Sequence, residues 1–348
     1  MIHILVESGY EKNNRAEKIL NGIISSAKKR HEDWTVYQSV NDAKGDEGVI
    51  ILISQSEAWT SGAVKALSGL GIHPLLFGFE GMDTGCGYSS ISPAYTKSAY
   101  NLARYAASFG GKNFAILGYN KDSLPDRLKY TGIRQALTEA GAKYKVFENR
   151  GSIAKCIDSL LNRQEDFSDL IFCNGNTAVA LYSGNREFLE GKRIYSCSAL
   201  RICDFFDLPC PVCKIDYFTA GTELTRLCVF LKKEESPSPC IMSVDMYMDF
   251  PHSAEDTVHP INNTEIDFWA DTELLDMERL DGMLSECDET DLAILSGIIA
   301  GETYEKSAEK LFISTNTVKY RIKKLLELSR TESRKDLISL IQKFKITI

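Results

Sequence analysis

The chain has 348 residues, of which 44% are hydrophobic and 25% charged, with a formal net charge of −8. This composition is typical of a soluble globular protein of two or three domains, and it argues against disordered and fibrous classes. The N-terminal MIHILVESGY has no basic segment and no small-residue cleavage site, so it predicts a β-strand rather than a signal peptide. Because no apolar stretch approaches the ~20 residues of a membrane helix, we expect a cytoplasmic protein without membrane contact.

The charge is distributed unevenly along the chain. From Ser285 to the C-terminus there are 11 Lys and Arg against 10 Asp and Glu, which leaves 29 basic and 38 acidic residues before Ser285. The acidic part is a poor candidate for binding nucleic acid. The C-terminal part can bind it if its positive charges share one face.

Cysteine and histidine give little indication of catalysis. Ten cysteines in a cytoplasmic protein are expected to be reduced and mostly buried. Cys210 and Cys213 have a Cys-x-x-Cys spacing, but no second pair or histidines follow for zinc, and the pair leads into a strand-like segment rather than a helix. The five histidines have neither metal-ligand nor catalytic-triad spacing. We therefore predict no metal, no cofactor and no enzymatic activity.

Up to Ser253, short β-branched or aromatic runs alternate with amphipathic helical stretches. In chain order the predicted strands are Ile2–Val6, Trp34–Val40, Gly48–Ile53, Leu75–Phe79, Phe114–Leu117, Tyr144–Phe147, Leu170–Cys173, Arg193–Ser196, Val212–Ile215 and Ser243–Tyr247. The intervening helices include Tyr95–Phe109, Asp126–Ala140, Ile153–Leu161, Ala178–Leu189 and Phe218–Leu231.

Alternating strands and helices of this kind predict parallel sheets with helices on both faces. About eight such units exceed one sheet, so we expect two doubly wound lobes. Ligands bind beyond the carboxyl ends of the strands in such sheets, and the cleft between the lobes is the expected site.

Residues 254–283 are rich in acids and have few periodic apolar positions, which predicts a linker with a short helix near Leu274–Leu284. From Glu289 onward the pattern is purely helical. Four helices are predicted to bury, in turn, Leu292, Leu295 and Ile299; Tyr304, Ala308 and Leu311; Val318, Ile322 and Leu325; and Leu337, Leu340, Ile341 and Phe344.

The third of these helices carries the chemistry. Its predicted outer face contains Asn316, Lys319, Tyr320 and Lys323, with Lys324 at the edge. A helix fits the major groove of DNA, where lysine donates to guanine and an aromatic ring contacts a thymine methyl. Thr317, at the helix start, is suited to a phosphate. A solvated basic face is the simpler interpretation, but a helix, a short turn and a capped basic helix together indicate a helix-turn-helix.

Residues 285–341 resemble the LuxR-type (GerE-like) helix-turn-helix family. The resemblance rests on Ala308, Leu311, Ile313–Ser314, Asn316–Lys319, Ile322, Lys324–Leu325 and the Ser/Arg-rich turn before the last helix. It implies that Lys319, Tyr320 and Lys323 face base edges and that Thr317 lies near phosphates. It also implies dimerisation through the last helix, hence a homodimer. The family's Leu-Thr-x-Arg-Glu opening is replaced by Leu284–Asp288, without the arginine.

Residues 1–253 resemble the periplasmic-binding-protein-like sensor domain of LacI-family regulators. The resemblance rests on the order and spacing of Gly48–Ser54, Leu70–Pro74, Lys112–Gly118, Gly132–Leu137, Glu139–Gly141 and Asp169–Cys173, with Asp216 and Gly221 opening a later helix. It implies one lobe in residues 1–92 plus about 215–237 and another in 93–214 plus 238–253, followed by the linker 254–283 and the DNA-binding domain 284–348.

The same resemblance implies where a ligand binds. The family's pocket arginine falls on Lys129, with Arg127 nearby, and three family aspartates fall on Asn176, Ser198 and Ser92. Carboxylates accept hydrogen bonds from sugar hydroxyls, so their loss favours a less hydroxylated ligand, or none. Tyr10, Trp59, Tyr88 and Tyr119 follow strand ends, as aromatic cleft residues do, and Asp216 lies at a lobe crossing.

These observations predict a transcriptional regulator that senses a small molecule, a sugar or related metabolite, and reads double-stranded DNA. The alternative is a transcriptional or protein-interaction scaffold with a degenerate sensor domain. A phosphorelay receiver is disfavoured because Glu7-Ser8-Gly9 replaces the acidic cluster after the first strand, and an enzyme fused to a DNA reader lacks catalytic groups. Whether the output is activation or repression stays open.

Overall fold

The computed structural model of the protein describes residues 1–10, 13–45, 47–79, 81–149, 151–206, 208–234, 237–249, 272–346 and 348. Residues 254–271, most of the expected linker, lie outside these ranges. The chain forms two compact units. The first unit contains Met1–Tyr95 and Ile215–Met246, and the second contains Thr96–Lys214 and Tyr247–Ile348.

In chain order the described strands are β1 (Ile2–Val6), β2 (Trp34–Tyr37), β3 (Val49–Ile53), β4 (His73–Phe77), β5 (Ser89–Pro93), β6 (Asn113–Tyr119), β7 (Lys143–Glu148), β8 (Asp169–Phe172), β9 (Arg193–Ser196), β10 (Val212–Lys214), β11 (Ile241–Val244) and β12 (Tyr247–Asp249). The described α-helices are α1 (Asn14–Lys29), α2 (Glu57–Gly69), α3 (Tyr95–Ser108), α4 (Leu124–Glu139), α5 (Ile153–Leu161), α6 (Gly175–Gly184), α7 (Tyr217–Leu231), α8 (Thr272–Ser285), α9 (Glu289–Ile299), α10 (Tyr304–Lys310), α11 (Thr315–Ser329) and α12 (Arg334–Lys343).

Each unit contains one six-stranded sheet. The first sheet has the order β11-β5-β4-β3-β1-β2, and all of its pairs are parallel. The second has the order β12-β10-β9-β8-β6-β7, and only the short edge strand β12 runs antiparallel to its neighbour. The prediction of two doubly wound, largely parallel sheets is confirmed.

Two strands differ from the sequence prediction. Strand β5 is not predicted from the sequence, because the run Ser-Ser-Ile-Ser-Pro has only one large apolar side chain, yet all five of its residues are buried. The single strand predicted at Ser243–Tyr247 is wrong, since the chain forms β11 in the first sheet and β12 in the second. The chain passes from one unit to the other between them, which an apolar run cannot reveal.

Helices α1 and α7 pack against each other through glycines in the first unit. A Cβ atom at Gly22 would lie 2.1 Å from the carbonyl oxygen of Phe218, and one at Gly221 would lie 2.1 Å from that of Ile19. Any larger side chain at either position would therefore collide with the partner helix backbone. Helix α7 thus completes a unit whose other helices precede it by more than a hundred residues.

Helix α6 begins and ends earlier than the predicted Ala178–Leu189. The side chain of Asn174 accepts a hydrogen bond from the backbone N–H of Thr177 at 3.0 Å and caps the helix at Gly175. The helix ends at Gly184, and a separate 3-10 helix, Arg186–Leu189, follows. The earlier start places Asn176 in the first turn of α6.

Helices α8–α12 belong to the second unit, and their apolar side chains form one continuous core with those of its sheet and helices. As predicted, α11 buries Val318, Ile322 and Leu325. The predicted apolar stripe of α9 was partly wrong. The fully buried apolar positions are Ile294, Leu295, and Ile298, while Leu292 and Ile299 are half-buried.

The start of α9 explains this shift of register. Asp288 is the N-cap, its carboxylate accepts from the N–H of Asp291 at 2.8 Å, and the Asp291 carboxylate accepts from the N–H of Asp288 at 3.3 Å. This reciprocal pair is a capping box, which is the role of threonine and glutamate in a Thr-x-x-Glu opening. The helix opening therefore lies at Asp288–Asp291, about one turn after Leu284–Asp288, and the prediction from the sequence is wrong by that turn.

Candidate nucleic-acid interface and ligand-binding residues

The N-terminus of α11 is held by local hydrogen bonds. Ser314 caps the helix, and its hydroxyl accepts from the backbone N–H of Thr317 at 3.0 Å. The hydroxyls of Ser314 and Thr317 are also 2.8 Å apart. The Thr317 hydroxyl, predicted to approach phosphates, is therefore already engaged in the cap.

The exposed side chains of α11 are Asn316, Lys319, Tyr320 and Lys323, followed by Glu327 one turn later. The Tyr320 residue is 72% exposed, and the side chain of Lys323 is 76% exposed. Glu327 lies 3.7 Å from the Lys323 ammonium, one turn along the helix. An exposed pair at this distance is weak, so the Lys323 ammonium is available to another anion or hydrogen-bond acceptor.

Lys324 has a different environment from its neighbour Lys323. Its ammonium donates to the Asp291 carboxylate at 3.0 Å and to the Glu286 carbonyl at 3.1 Å. Although burial opposes it, this bond to Asp291 raises the pKa of Lys324. Asp291 is fully buried and also accepts from Arg321 at 2.8 Å. The structure therefore places Lys324 among the contacts that hold α11 to α9, apart from the exposed basic face.

Phe312, two residues before the N-cap of α11, is an exposed aromatic residue that the sequence pattern does not reveal. It is 95% exposed, and its backbone is left-handed with φ 54°. Residues other than glycine rarely adopt this conformation. The turn between α10 and α11 thus presents an aromatic ring to solvent beside the basic helix.

In the second unit, Lys129 is fully buried. Its ammonium lies 3.3 Å from the Asp126 carboxylate and donates to the Cys173 carbonyl at 3.0 Å. Asp126 is itself fully buried and accepts from the backbone N–H of Asn120. Burial raises the pKa of Asp126, and the charge of Lys129 opposes this shift. The predicted pocket cation is therefore paired with a carboxylate of its own helix.

Asn176 and Ser198 lie at the carboxyl ends of β8 and β9. Both are buried, and the Ser198 hydroxyl accepts from the backbone N–H of Gly175 at 3.2 Å. The neighbouring Asn174 amide donates to the Gly118 carbonyl at 2.9 Å, and a Cβ atom at Gly118 would lie 2.5 Å from the Thr177 hydroxyl. Lys129, Asn176 and Ser198 thus surround the junction between β8 and α6.

A further polar side chain at this edge of the sheet was missed. Asn149 follows β7, and its backbone N–H donates to the Tyr119 carbonyl at the end of β6 at 2.7 Å. It is 3% exposed, and among the described residues neither its amide nitrogen nor its amide oxygen has a hydrogen-bond partner. A buried amide of this kind is costly unless a ligand or water satisfies it. Asparagine after a strand is common, so the sequence contained no distinguishing signal.

The other predicted ligand residues are Arg127, Tyr10 and Asp216. Arg127 is exposed and donates to the Lys121 carbonyl at 2.9 Å. Tyr10 and Asp216 belong to the first unit. Burial raises the pKa of Tyr10, and the carboxylate of the exposed Asp216 caps α7 by accepting from the N–H and hydroxyl of Thr219.

Of the other positions named from the sequence, Ser92 in β5 is buried, and its hydroxyl has no hydrogen-bond partner in the described part of the chain. The Tyr88 hydroxyl donates to the backbone carbonyls of Phe79 and Met82, so it stabilises its own loop. Trp59 is half-buried on α2.

The Cys210 and Cys213 thiols are both buried, and burial raises the pKa of each to about 12. Thiols with such pKa values are protonated and unreactive at neutral pH. Within the ranges that the structure describes, no cluster of three or more metal-ligating side chains occurs. No described helix is both long enough and apolar enough to cross a membrane.

No protein-family model matches the sequence, and no curated protein matches it. Solved structures do match. The glucose-galactose binding protein GanP from Geobacillus stearothermophilus superposes with a TM-score of 0.58 at 12% identity, covering 73% of this chain and 99% of its own. The transcriptional regulator CelR in its cellobiose complex gives 0.55 at 14% identity, covering 71% and 82%. A LacI-family regulator from Enterococcus faecium with bound ribose gives 0.52 at 14%, covering 75% and 100%. Over about three quarters of its length the chain therefore shares the fold of LacI-family regulators and periplasmic solute-binding proteins.

Proposed function

We propose that the protein is a transcriptional regulator that reads double-stranded DNA with α11 and responds to a small molecule bound by its sheet units. The observation that carries the proposal is the exposed face of Lys319, Tyr320 and Lys323 on a helix that follows α10 after a short turn. On this proposal residues 1–253 are the sensor domain, 254–283 the linker and 284–348 the LuxR-type DNA-binding domain of a cytoplasmic homodimer.

The exposed face of α11 has the chemistry needed for a major-groove reader. Lysine ammonium groups donate to O6 and N7 of guanine, and the Tyr320 ring can contact a thymine methyl. Arg321 and Lys324 hold this helix to α9 through the buried Asp291, so the face is presented on a fixed support. A fixed recognition helix loses less conformational entropy on binding.

The small molecule is proposed to bind at the carboxyl ends of the second sheet, where Asn149, Asn176 and Ser198 lie. This is the edge at which doubly wound sheets bind ligands. The unsatisfied amide of Asn149 supports it. The buried carboxylate of Asp126, on the neighbouring helix α4, is already paired with Lys129. Because Asp126 is engaged, it does not accept from the hydroxyls of a sugar. A ligand with its own acceptor groups, such as an oxidised or phosphorylated sugar or a carboxylate, therefore suits the amide N–H donors of Asn149 and Asn176 better than a neutral hexose.

The second candidate function is a regulatory scaffold whose sensor domain binds nothing. It is favoured by the internal pairing of Lys129 with Asp126 and by the use of Asp216 as a helix cap. Thermal unfolding of the full-length chain with neutral sugars, phosphorylated sugars and small carboxylates separates the two. A ligand at a hundred times its Kd stabilises by about 2.7 kcal/mol, which gives a clear rise in Tm. A panel without any rise supports the scaffold.

The DNA proposal is tested by replacing Lys319 and Lys323 with alanine and measuring binding to the promoter region of the protein's own gene. Each specific base contact contributes about 1–3 kcal/mol, so the double variant is expected to bind at least ~30-fold more weakly. The matched control is K143A/K155A, which removes the same charge from exposed positions of β7 and α5. Equal binding by the two double variants would show that α11 is not the reading helix.

A further inference from the structure

The second unit joins the helices α8–α12 to the sheet that carries the proposed effector residues. Leu280, Met283 and Leu284 of α8 belong to the same hydrophobic core as Leu200 and Ile202, which follow β9. The predicted linker 254–283 is therefore not the whole connection between the sheet and α9–α12, because α8 itself packs against the 3-10 helix Arg201–Phe205. The helices α8–α12 are thus joined to the rest of the second unit by a packed interface as well as by the peptide chain.

The first direct contact in this interface involves Asp281. Its carboxylate accepts from the backbone N–H of Ile202 at 3.2 Å, and both residues are buried. Ile202 lies four residues after Ser198, whose hydroxyl accepts from Gly175 at the start of α6. One short segment therefore runs from a proposed effector residue to a backbone group that α8 binds.

The second contact lies at the other end of α6. The Ser183 hydroxyl donates to the backbone carbonyl of Phe344, just after α12, at 3.1 Å. Beside it the Tyr182 ring stacks on Phe206 at 4.0 Å, immediately after the 3-10 helix. Helix α6 is about 15 Å long, from ten residues at 1.5 Å each. Its first turn holds Asn176 and its last turn contacts the DNA-reading helices.

From these contacts we infer that effector occupancy is transmitted to α8–α12 through α6 and the 3-10 helix Arg201–Phe205, with Asp281–Ile202 and Ser183–Phe344 as the two attachment points. This rests on the proposed function for its biological meaning. A ligand that hydrogen-bonds Ser198 competes with the Gly175 N–H for that hydroxyl, and so shifts α6 and the 3-10 helix. Because packed interfaces change between discrete arrangements, a small shift at Ser198 repositions the attached helices.

Attachment is tested in the full chain with a protease recognition sequence inserted within residues 254–271. After cleavage, the C-terminal fragment carrying α8–α12 should co-elute with the remainder of the chain on size exclusion. In D281A/S183A the fragment should bind the remainder of the chain at least tenfold more weakly, because Ile202 and Phe344 lose their partners while the shared apolar core remains. D281N keeps an acceptor oxygen and should bind as the unsubstituted fragment does. Separation of the unsubstituted fragments, or an unchanged fragment Kd in the double variant, would overturn the attachment.

Transmission is tested by hydrogen exchange in the uncleaved protein, with S198A as the perturbation in place of an unidentified effector. We expect S198A to speed exchange in peptides of α8 and of residues 201–205 by at least threefold, with peptides of β6 unchanged. The milder S183A should affect peptides around α12 alone. Unchanged exchange of α8 in S198A overturns the route. The D281N variant should still bind promoter DNA. If the proposed function itself is wrong, the unsubstituted protein does not bind promoter DNA, and that outcome is distinct from a failure of the route.

Discussion

At the scale of single residues, neighbours in sequence have different roles. Lys323 and Lys324 differ by one position, yet Lys323 is exposed and Lys324 is bound to Asp291. The helical period alone puts Lys324 at the edge of the basic face, and its partner lies 33 residues earlier. The exposed face could be predicted from the helical period. That Lys324 does not belong to it could not, because this depends on a contact with a residue distant in the sequence.

We predict opposite effects of K323A and K324A. K324A removes a hydrogen bond to a buried carboxylate and should lower the free energy of unfolding by about 1.5–3 kcal/mol, with promoter binding retained at low temperature. K323A removes only a weak exposed pair, so its stability should change by less than about 1 kcal/mol while DNA binding weakens. Urea unfolding and DNA titration of both variants measure this. Loss of specific binding by K324A at unchanged stability would instead make Lys324 a DNA contact.

A second residue-scale prediction concerns Lys129. In K129M the buried Asp126 loses its cation, so its pKa, already raised by burial, should rise further. A carboxyl whose pKa is raised in the folded state stabilises below its unfolded pKa and loses that stability as pH rises through the folded pKa. K129M should therefore be less stable than the wild type by about 3 kcal/mol at pH 8 and by less at pH 5.

Urea unfolding at the two pH values tests this, and D126N/K129M is the control. The double variant has no ionisable pair, so it should recover most of the stability and lose the added pH dependence. The prediction for Lys129 fails if the single variant shows the same deficit at both pH values.

At the scale of elements, α11 could be predicted and the start of α9 could not. Apolar spacing and the Ser314 cap define α11 locally. In α9 the buried positions include Asp291, an acid that the apolar pattern treats as outward-facing. Its burial depends on Arg321, which belongs to another helix. Strand β5 was missed for a related reason, since buried serines give no apolar signal.

The capping box predicts different outcomes for D288N and D291N. Asparagine caps helices as well as aspartate, so D288N loses only the half-exposed pair with Arg321 and should cost less than about 1 kcal/mol. D291N removes a fully buried charge with two cationic partners and should cost at least about 2 kcal/mol. Chemical denaturation of both variants at pH 7 distinguishes them, and equal losses would contradict the assignment of Asp291 as the anchor.

The contact between Asp288 and Arg321 makes the stability of helices α9 and α11 depend on pH. Although burial opposes it, the hydrogen bond from Arg321 lowers the pKa of Asp288. A group with a lowered folded pKa stabilises above its unfolded pKa, and that contribution is lost as pH falls through the folded value. We expect the stability difference between wild type and D288N to shrink below about pH 4. If the stability difference between wild type and D288N is constant from pH 7 to pH 3, the charge of Asp288 does not contribute, and Asp288 acts only as a helix cap.

At the scale of the whole molecule, the two sheets followed from the alternation of strands and helices. The inclusion of α8–α12 in the second unit did not. Both sides of that interface are made of apolar residues. From the sequence, each of them is predicted to be buried within its own domain rather than between the two. Long-range contacts such as Asp281 with Ile202 join positions that no local pattern relates.

The division into units predicts how the chain can be cut. Residues 1–95 alone lack α7, so the face of α1 around Gly22 has no partner and the fragment should not fold. Residues 1–95 joined by a short linker to 215–246 should fold, because the first unit is then complete. Circular dichroism and cooperative thermal unfolding of the two fragments test this. Cooperative folding of residues 1–95 alone would show that α7 is dispensable.

The glycine contact between α1 and α7 also bears on how the protein is made. The ribosome releases α1 early, but the helix that fits against Gly22 emerges only after all of residues 96–214 have been synthesised. The first unit therefore cannot complete its fold while residues 96–214 are translated, and during that time the face of α1 that packs against α7 is uncovered. That interval is the period in which chaperones would be needed, and slower translation between codons 96 and 214 should lengthen it.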